Sequence, residues 1–245
     1  VSLHCDIKSR KIFFRDFLKQ LFKGWIAALT ISSGFLKHQR SVKMDVTTNN
    51  TKSKVNIRLL VGTGMLSGLA FVLQYLEFPI PIMPGFIKFD FSDLPALIGA
   101  FAYGPLAGVI VEFIKNLLHC TVTQSFTVGE LSNFILGAVF TATAGLIYKK
   151  NKSKKGAIIG ALVGSVVMGI ISFPSNLFIV YPAYTKFMPM EAIIGAYSEL
   201  LPSVGKLWQA LLIFNVPFTI VKGLISTLIT VLVYKRLSPV LKGRG

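Results

Sequence analysis

The sequence predicts an all-α integral membrane protein, a bundle of packed hydrophobic helices, and three observations carry that prediction. Only 15% of the 245 residues are charged, while 53% are hydrophobic and the mean hydropathy is +0.65. A soluble domain has roughly 25% charged residues. The missing charge is concentrated in three stretches, Leu59 to Leu76, Leu131 to Tyr148 and Gly156 to Thr185, which contain no Asp, Glu, Lys or Arg. An uncharged apolar run of about 18 residues or more matches a bilayer core of about 30 Å at about 1.5 Å per helical residue. Finally, the basic residues cluster where such stretches begin and end.

That clustering explains the net charge of +16 without nucleic acid. Twelve of the 26 basic residues precede Leu59, five lie in Lys149-Lys150-Asn151-Lys152-Ser153-Lys154-Lys155, and four follow Tyr234. Lys and Arg at span ends mark cytoplasmic flanks, and no basic stripe interleaved with aromatics offers a surface for stacking bases. Two cysteines, Cys5 and Cys120, give no disulfide framework, and His4, His38 and His119 are too scattered for a zinc site. There is no Gly-x-x-x-x-Gly-Lys-Ser/Thr phosphate loop, so the chain does not drive transport with an ATPase of its own. Nothing reads as catalytic: an intramembrane serine–histidine pair would have only His119 to draw on after residue 43.

Residues 1 to 43 differ from the remainder. They start at Val1, carry Lys8, Arg10, Lys11, Arg15, Lys19 and Lys23, and contain only a weakly apolar stretch from Gly24 to Leu36. They fit a secretory signal poorly, and a basic interfacial helix is the other reading. The expectation is a basic extension over 1–43, a start at Met44 with the polar leader Asp45 to Lys54, and a membrane domain over 44–245.

Charge placement then counts the spans. With the leader cytoplasmic, the first span, about Ile57 to Leu76, leaves Glu77 to Asp93 outside. The tract from Asp93 to His119 is broken at Gly104-Pro105. If it crosses twice, every basic cluster falls on one side; if it crosses once, five lysines are stranded outside. Two crossings are predicted, although a helix from Asp90 or Ser92 to Tyr103 reaches only about 18–20 Å and must be short, tilted or buried by neighbours. The following spans are about Pro105 to Leu118, Val128 to Tyr148, Gly156 to Phe178 and Trp208 to Tyr234. The expected architecture is six helices with both termini cytoplasmic. No duplicated half supports an inverted-repeat transporter.

Candidate binding residues are polar groups in or beside these spans. Lys222 lies well inside the last helix, where a lysine marks a ligand, a relay or a partner charge; the bland alternative is snorkelling. Thr219 shares its face at i−3, and Asn215 falls near that face. Asn176 lies near the outer end of the fifth span, which Pro174 is expected to kink. An asparagine amide suits the imide and ring nitrogens of a planar heterocycle, or an interhelical hydrogen bond. Glu112 and Lys115, at i, i+3, are read as neutralising each other. The loop Glu77-Phe78-Pro79-Ile80-Pro81-Ile82-Met83-Pro84-Gly85-Phe86-Ile87-Lys88-Phe89-Asp90 is stiffened by prolines and half apolar, which suits a lid over the outer mouth or a loop in the interface. Gly64-x-x-x-Gly68 permits close approach of another membrane helix.

These residues resemble a known family, the substrate-binding (S) subunits of energy-coupling-factor (ECF) vitamin transporters, most closely the riboflavin-specific ones. The resemblance runs from about Met44 to the C-terminus. It rests most on Glu77 through Pro81, Phe86 through Pro95, Gly104-Pro105, Glu112 through His119, and Pro217-Phe218-x-x-x-Lys222-Gly223. It implies the six-helix S-component fold of a multi-pass protein in a prokaryotic plasma membrane, and capture of riboflavin as transported ligand, not cofactor. It also implies that Asn176 and Lys222 contact the ring, with Thr219 standing where a second asparagine is usual and Asn215 a partial substitute. Gly85, Phe86 and Lys88 of the first loop would close over the ligand, and Gly64 and Gly68 would dock a transmembrane coupling subunit that works with two cytoplasmic ATPases. An S component for another vitamin, a stand-alone secondary transporter and a membrane enzyme are the alternatives.

Overall fold

A computed structural model of the chain describes residues 57–122 and 127–241. The predicted basic extension over 1–43 and the leader after Met44 lie outside the described residues. Helix α1 spans Ile57–Tyr75. A two-residue antiparallel hairpin follows, β1 (Phe78–Pro79) and β2 (Lys88–Phe89), with Phe78 opposite Phe89 and Pro79 opposite Lys88. Then come α2 (Asp93–Tyr103), α3 (Pro105–His119) and α4 (Val128–Lys150).

The next helix, α5, runs from Lys154–Ser175 through a π-helical turn, Asn176–Val180, into Tyr181–Tyr184. A short helix, α6, covers Met190–Ser198. The last, α7, begins with Leu207–Ala210, passes through a second π-helical turn, Leu211–Asn215, and continues over Val216–Leu241.

The described residues thus hold seven helices where six were expected. The extra one is α6, in the connection between the fifth and last spans, where Pro189 opens a short apolar helix too brief for periodicity to announce. The fifth helix also continues beyond Phe178 to Tyr184. Pro174 does not end it: a residue without an N–H loses one backbone bond, and the chain continues by widening into a π turn. Pro217 stands just after the second π turn in the same way.

Among the described residues, three helices are long and apolar enough to cross a membrane by themselves: Val128–Lys150, Lys154–Tyr184 and Leu207–Leu232. Leu59–Tyr75 and Asp93–Tyr103 are shorter apolar helices. The burial pattern is that of a protein whose solvent is lipid. Leu106, Phe113, Ile170, Phe178, Leu228 and Leu232 are exposed, whereas Glu112, Lys115, Ser165, Thr141 and Ser172 are fully buried. Apolar side chains cost nothing against hydrocarbon, while polar ones must find partners within the bundle. The five lysines around the α4–α5 turn are exposed, apart from the bundle's apolar sides, and Ser153 caps α5 by accepting from the Gly156 N–H at 3.0 Å.

The short α2 is central rather than peripheral. It packs against α1, α3, α4 and α7, and every residue from Asp93 to Phe101 is buried. Its brevity is therefore met by neighbours that enclose it. The predicted break at Gly104-Pro105 is the turn between α2 and α3; Gly104 has φ 104°, open to a residue without Cβ, and Pro105 begins the next helix. Small residues let α4 and α5 approach closely: a Cβ on Gly160 would come within 2.7 Å of the Ala144 carbonyl oxygen, and one on Gly164 within 2.9 Å of the Phe140 carbonyl oxygen. Gly64 and Gly68 behave differently. Both are exposed, and nothing described lies within 4 Å of where their Cβ atoms would be.

Candidate ligand-binding site

A cavity of about 280 Å³ opens between the first loop, the start of α4, and the two π-helical turns of α5 and α7. That lies just below the usual range for small-molecule pockets, about 300–1,000 Å³. Every substrate-contact candidate named from the sequence lines it: Asn176, Asn215, Thr219 and Lys222 from the helices, Gly85, Phe86 and Lys88 from the loop. The local backbone explains two of them. Asn176 opens the π turn after Pro174 and Asn215 closes the one before Pro217. A π turn inserts a residue and re-aims the side chains around it, which is why such turns recur at functional sites.

Lys222 is 8% exposed and does not snorkel. Its ammonium donates to Asp90 Oδ2 at 2.9 Å and to Asn133 Oδ1 at 3.0 Å, and stands 3.4 Å from Asp93 Oδ2. Burial pushes the Asp90 carboxyl up, but the ammonium groups of Lys222 and Lys115 and the Ser92 hydroxyl outweigh it and hold it at about 2. Asp90 also accepts from the Ser92 backbone N–H at 2.8 Å and pairs with the Ser92 hydroxyl.

Behind this pair lies a second buried centre. The Lys115 ammonium, fully buried, donates to Ser92 Oγ at 2.6 Å and Asp93 Oδ1 at 2.8 Å, and lies 2.8 Å from Glu112 Oε2. The reading of Glu112 and Lys115 as a self-neutralising pair is thus incomplete, because Asp93 shares the lysine and links it to Lys222. Sequence separation hid this: Asp90 and Lys222 are 132 residues apart.

The far wall is aromatic and polar. Asn215 donates through Nδ2 to the Tyr181 hydroxyl at 3.1 Å, and its Oδ1 accepts from the Tyr197 hydroxyl at 2.6 Å. The two tyrosine hydroxyls are themselves bonded. Asn215 is therefore committed to orienting two tyrosines. Asn176 Oδ1 accepts from Ser132 Oγ at 3.2 Å. Phe86 reaches over this wall, its ring 6.1 Å from those of Tyr184 and Tyr197.

At the mouth, Lys88 pairs with Glu77 at 2.6 Å across the foot of the hairpin, so the first loop is an ordered ribbon rather than a slack linker. Only part of its apolar content is dry: Met83 and Phe89 are buried, and Phe89 meets Phe78, Phe91 and Phe218, whereas Phe78 and Ile82 are exposed. Among the described residues no group of His, Cys, Asp and Glu could hold a metal ion.

Sequence reasoning missed Asp90 and Asp93 as counter-ions, Asn133 and Ser132 at the start of α4, and the tyrosines 181, 184 and 197. An acidic pair beside a proline-stiffened loop, together with a lysine at membrane depth, was the signal that could have suggested the ion pair. The tyrosines carried no comparable signal.

The described geometry fits a small-molecule binding bundle, and comparison assigns its class. Residues 58–234 match the family model described as the ECF transporter, substrate-specific component. The chain belongs to that family. As an S component it is part of a transporter, not an enzyme. It is 36% identical over 196 residues to the riboflavin transporter RibU of Staphylococcus aureus, covering 79% of this chain and 98% of that protein. It is 37% identical over 188 residues to the riboflavin transporter FmnP of Bacillus subtilis, covering 76% and 94%. A solved structure described as the S component of a bacterial ECF transporter superposes with a TM-score of 0.61 at 35% identity, over 76% of this chain and 98% of that one.

Proposed function

We propose that this S component binds riboflavin on the outer side of a prokaryotic plasma membrane and delivers it inward with ATPase partners. The observation that carries the proposal is the convergence, in one cavity, of asparagine amides, a buried lysine and an aromatic cap. Such a lining suits a flat ring with carbonyl and ring-nitrogen acceptors on one edge and an apolar body. The relatives named as riboflavin transporters support the choice among vitamins. In this reading Asn176, Thr219 and Lys222 surround the ring, Asn215 orients the tyrosine wall, and Gly85, Phe86 and Lys88 belong to a loop that closes over the ligand. An S component for another vitamin is the competing reading, because Thr219 offers a hydroxyl where the resemblance leads one to expect an amide.

The membrane domain comprises 44–245, multi-pass, with six crossings and both ends cytoplasmic. The exposed lysines of the α4–α5 turn support that orientation. The short crossings by α2 and α3 are supported by the way α2 is enclosed. Purified protein titrated with a panel of vitamins tests the ligand. Riboflavin is expected to co-purify as a yellow chromophore or to lose its fluorescence on binding; tight binding of another vitamin with none for riboflavin overturns the assignment.

The partners are a transmembrane coupling subunit and two cytoplasmic ATPases, which supply the energy this chain lacks a phosphate loop to harvest. Gly64 and Gly68 present a small-residue surface on α1 that no described residue covers, which suits docking of the coupling subunit. Gly68→Leu is expected to bind riboflavin as the wild type does, but to fail to co-purify with the coupling subunit and to lose uptake. Undiminished uptake would remove this face of α1 from the interface.

A further inference from the structure

Asn133, on the second turn of α4, lines the cavity, and nothing in the sequence singled it out. Its amide orientation is set by its neighbour. The Lys222 ammonium is a donor only, so the Asn133 atom 3.0 Å from it must be the carbonyl oxygen. The Nδ2 amino group is thereby turned away from Lys222, and it makes no hydrogen bond to any described residue. Lys222 itself has three N–H donors. Two are bonded to Asp90 and Asn133, and the ammonium lies 3.4 Å from Asp93. The protein thus occupies the lysine, and among the polar groups that line the cavity it leaves the Asn133 amino group open to a ligand.

We propose that Asn133 is a ligand-contact residue whose N–H groups, locked in place by Lys222, donate to an acceptor on the polar edge of the bound ring. This rests on the reading of the cavity as the riboflavin site and names a contact within it. The lock runs from the first loop inward: Asp90 on the loop holds Lys222, and Lys222 holds Asn133. A locked amide discriminates strongly, because an N–H donor facing a ligand donor is left unpaired in a dry site. A ring presenting a carbonyl or unprotonated nitrogen at that point is accepted, and one presenting an N–H or C–H there is rejected.

The test uses the whole chain in detergent, riboflavin as probe, and two variants, the first near-isosteric. Asn133→Asp keeps an oxygen for Lys222 and removes the N–H groups. Asn133→Ala removes both, and Ala favours the helix in which it sits. Each variant is expected to weaken riboflavin binding about tenfold or more, measured by fluorescence quenching. Raman spectra at saturating riboflavin are expected to show the ring carbonyl or C=N bands shifted in both variants relative to wild type, since a lost donor stiffens the acceptor bond.

A residue that only positions Lys222 would be rescued by Asp and would leave those bands in place. Affinity of Asn133→Asp within twofold of wild type, or unshifted bands in Asn133→Ala, overturns the proposal. If Asn133→Asp does not fold, Asn133→Ala and its Raman bands decide. Wild-type protein that leaves riboflavin fluorescence unchanged overturns the reading of the cavity itself, which separates that failure from a failure of Asn133 alone.

Discussion

Lys222→Met is expected to lower riboflavin affinity by about tenfold or more, the scale of one hydrogen bond to the ligand lost when its donor is no longer held in place. The ammonium joins four elements: it sits on α7 and reaches Asp90 on the first loop, Asp93 at the start of α2 and Asn133 on α4. Met fills similar volume but offers none of these contacts. The cavity loses its fixed amide, and the loop loses the anchor that holds it against the bundle. Asp90 and Asp93 are left as buried carboxylates with Lys115 as their remaining nearby ammonium, so a fall in thermal midpoint should accompany the loss of affinity. Lys222→Arg restores charge without restoring the geometry of the three contacts, and is expected to recover stability more than affinity. Titration of riboflavin fluorescence alongside thermal unfolding separates the two effects. Unchanged affinity in Lys222→Met would remove this lysine from the site.

The larger effect on folding is expected from Lys115→Met. Lys115 is fully buried, with Asp93 and Glu112 each 2.8 Å away. Removing one partner of a buried ion pair costs about 3–5 kcal/mol, because the opposite charge stays buried and uncompensated. Here Glu112 is left with no other ion pair among the described residues and Asp93 keeps only Lys222, 3.4 Å away, in a bundle whose sides face hydrocarbon. The variant is expected to accumulate poorly in membranes and to aggregate on extraction. The double variant Lys115→Met with Glu112→Gln, which removes the carboxylate left without a lysine, is expected to recover part of the yield. Equal thermal stability of Lys115→Met and wild type would show that Asp93 and Glu112 are satisfied without the lysine. Both predictions treat the charges as one connected centre, reaching from the loop through α2 to α3, α4 and α7.

How much of this was legible beforehand differs by kind of residue. The membrane class, the long spans and the turn at Gly104-Pro105 follow from runs of uncharged residues and from punctuation, which are local. Lys222 and Asn176 could be singled out because a polar side chain in an apolar run is conspicuous against its neighbours. Asp90 and Asp93 were not conspicuous, since they lie at the edge of a loop where acidic residues are ordinary. Asn133 was overlooked for the same reason, standing in Gly129-Glu130-Leu131-Ser132-Asn133 near a helix start. Helix α6 was unseen because nine residues give too little periodicity to separate a helix from an apolar loop. The π turns were invisible except as prolines, since the sequence marks where a bond is lost but not how the chain recovers.

By itself, then, the sequence determined that this is a membrane bundle, where its long helices run, and which side chains cannot rest in lipid without a reason. Those are statements about one residue and its near neighbours against a known solvent. Only the tertiary structure decided what the reasons are: that Lys222 belongs to Asp90, Asp93 and Asn133, that Lys115 is shared between Asp93 and Glu112, and that Asn215 serves two tyrosines. Pairing of buried polar groups depends on distance in space, and a bundle brings together residues as far apart as 90 and 222. In a medium that offers no water to an unpaired group, those long-range pairings decide how the Asn133 amide is turned toward the cavity.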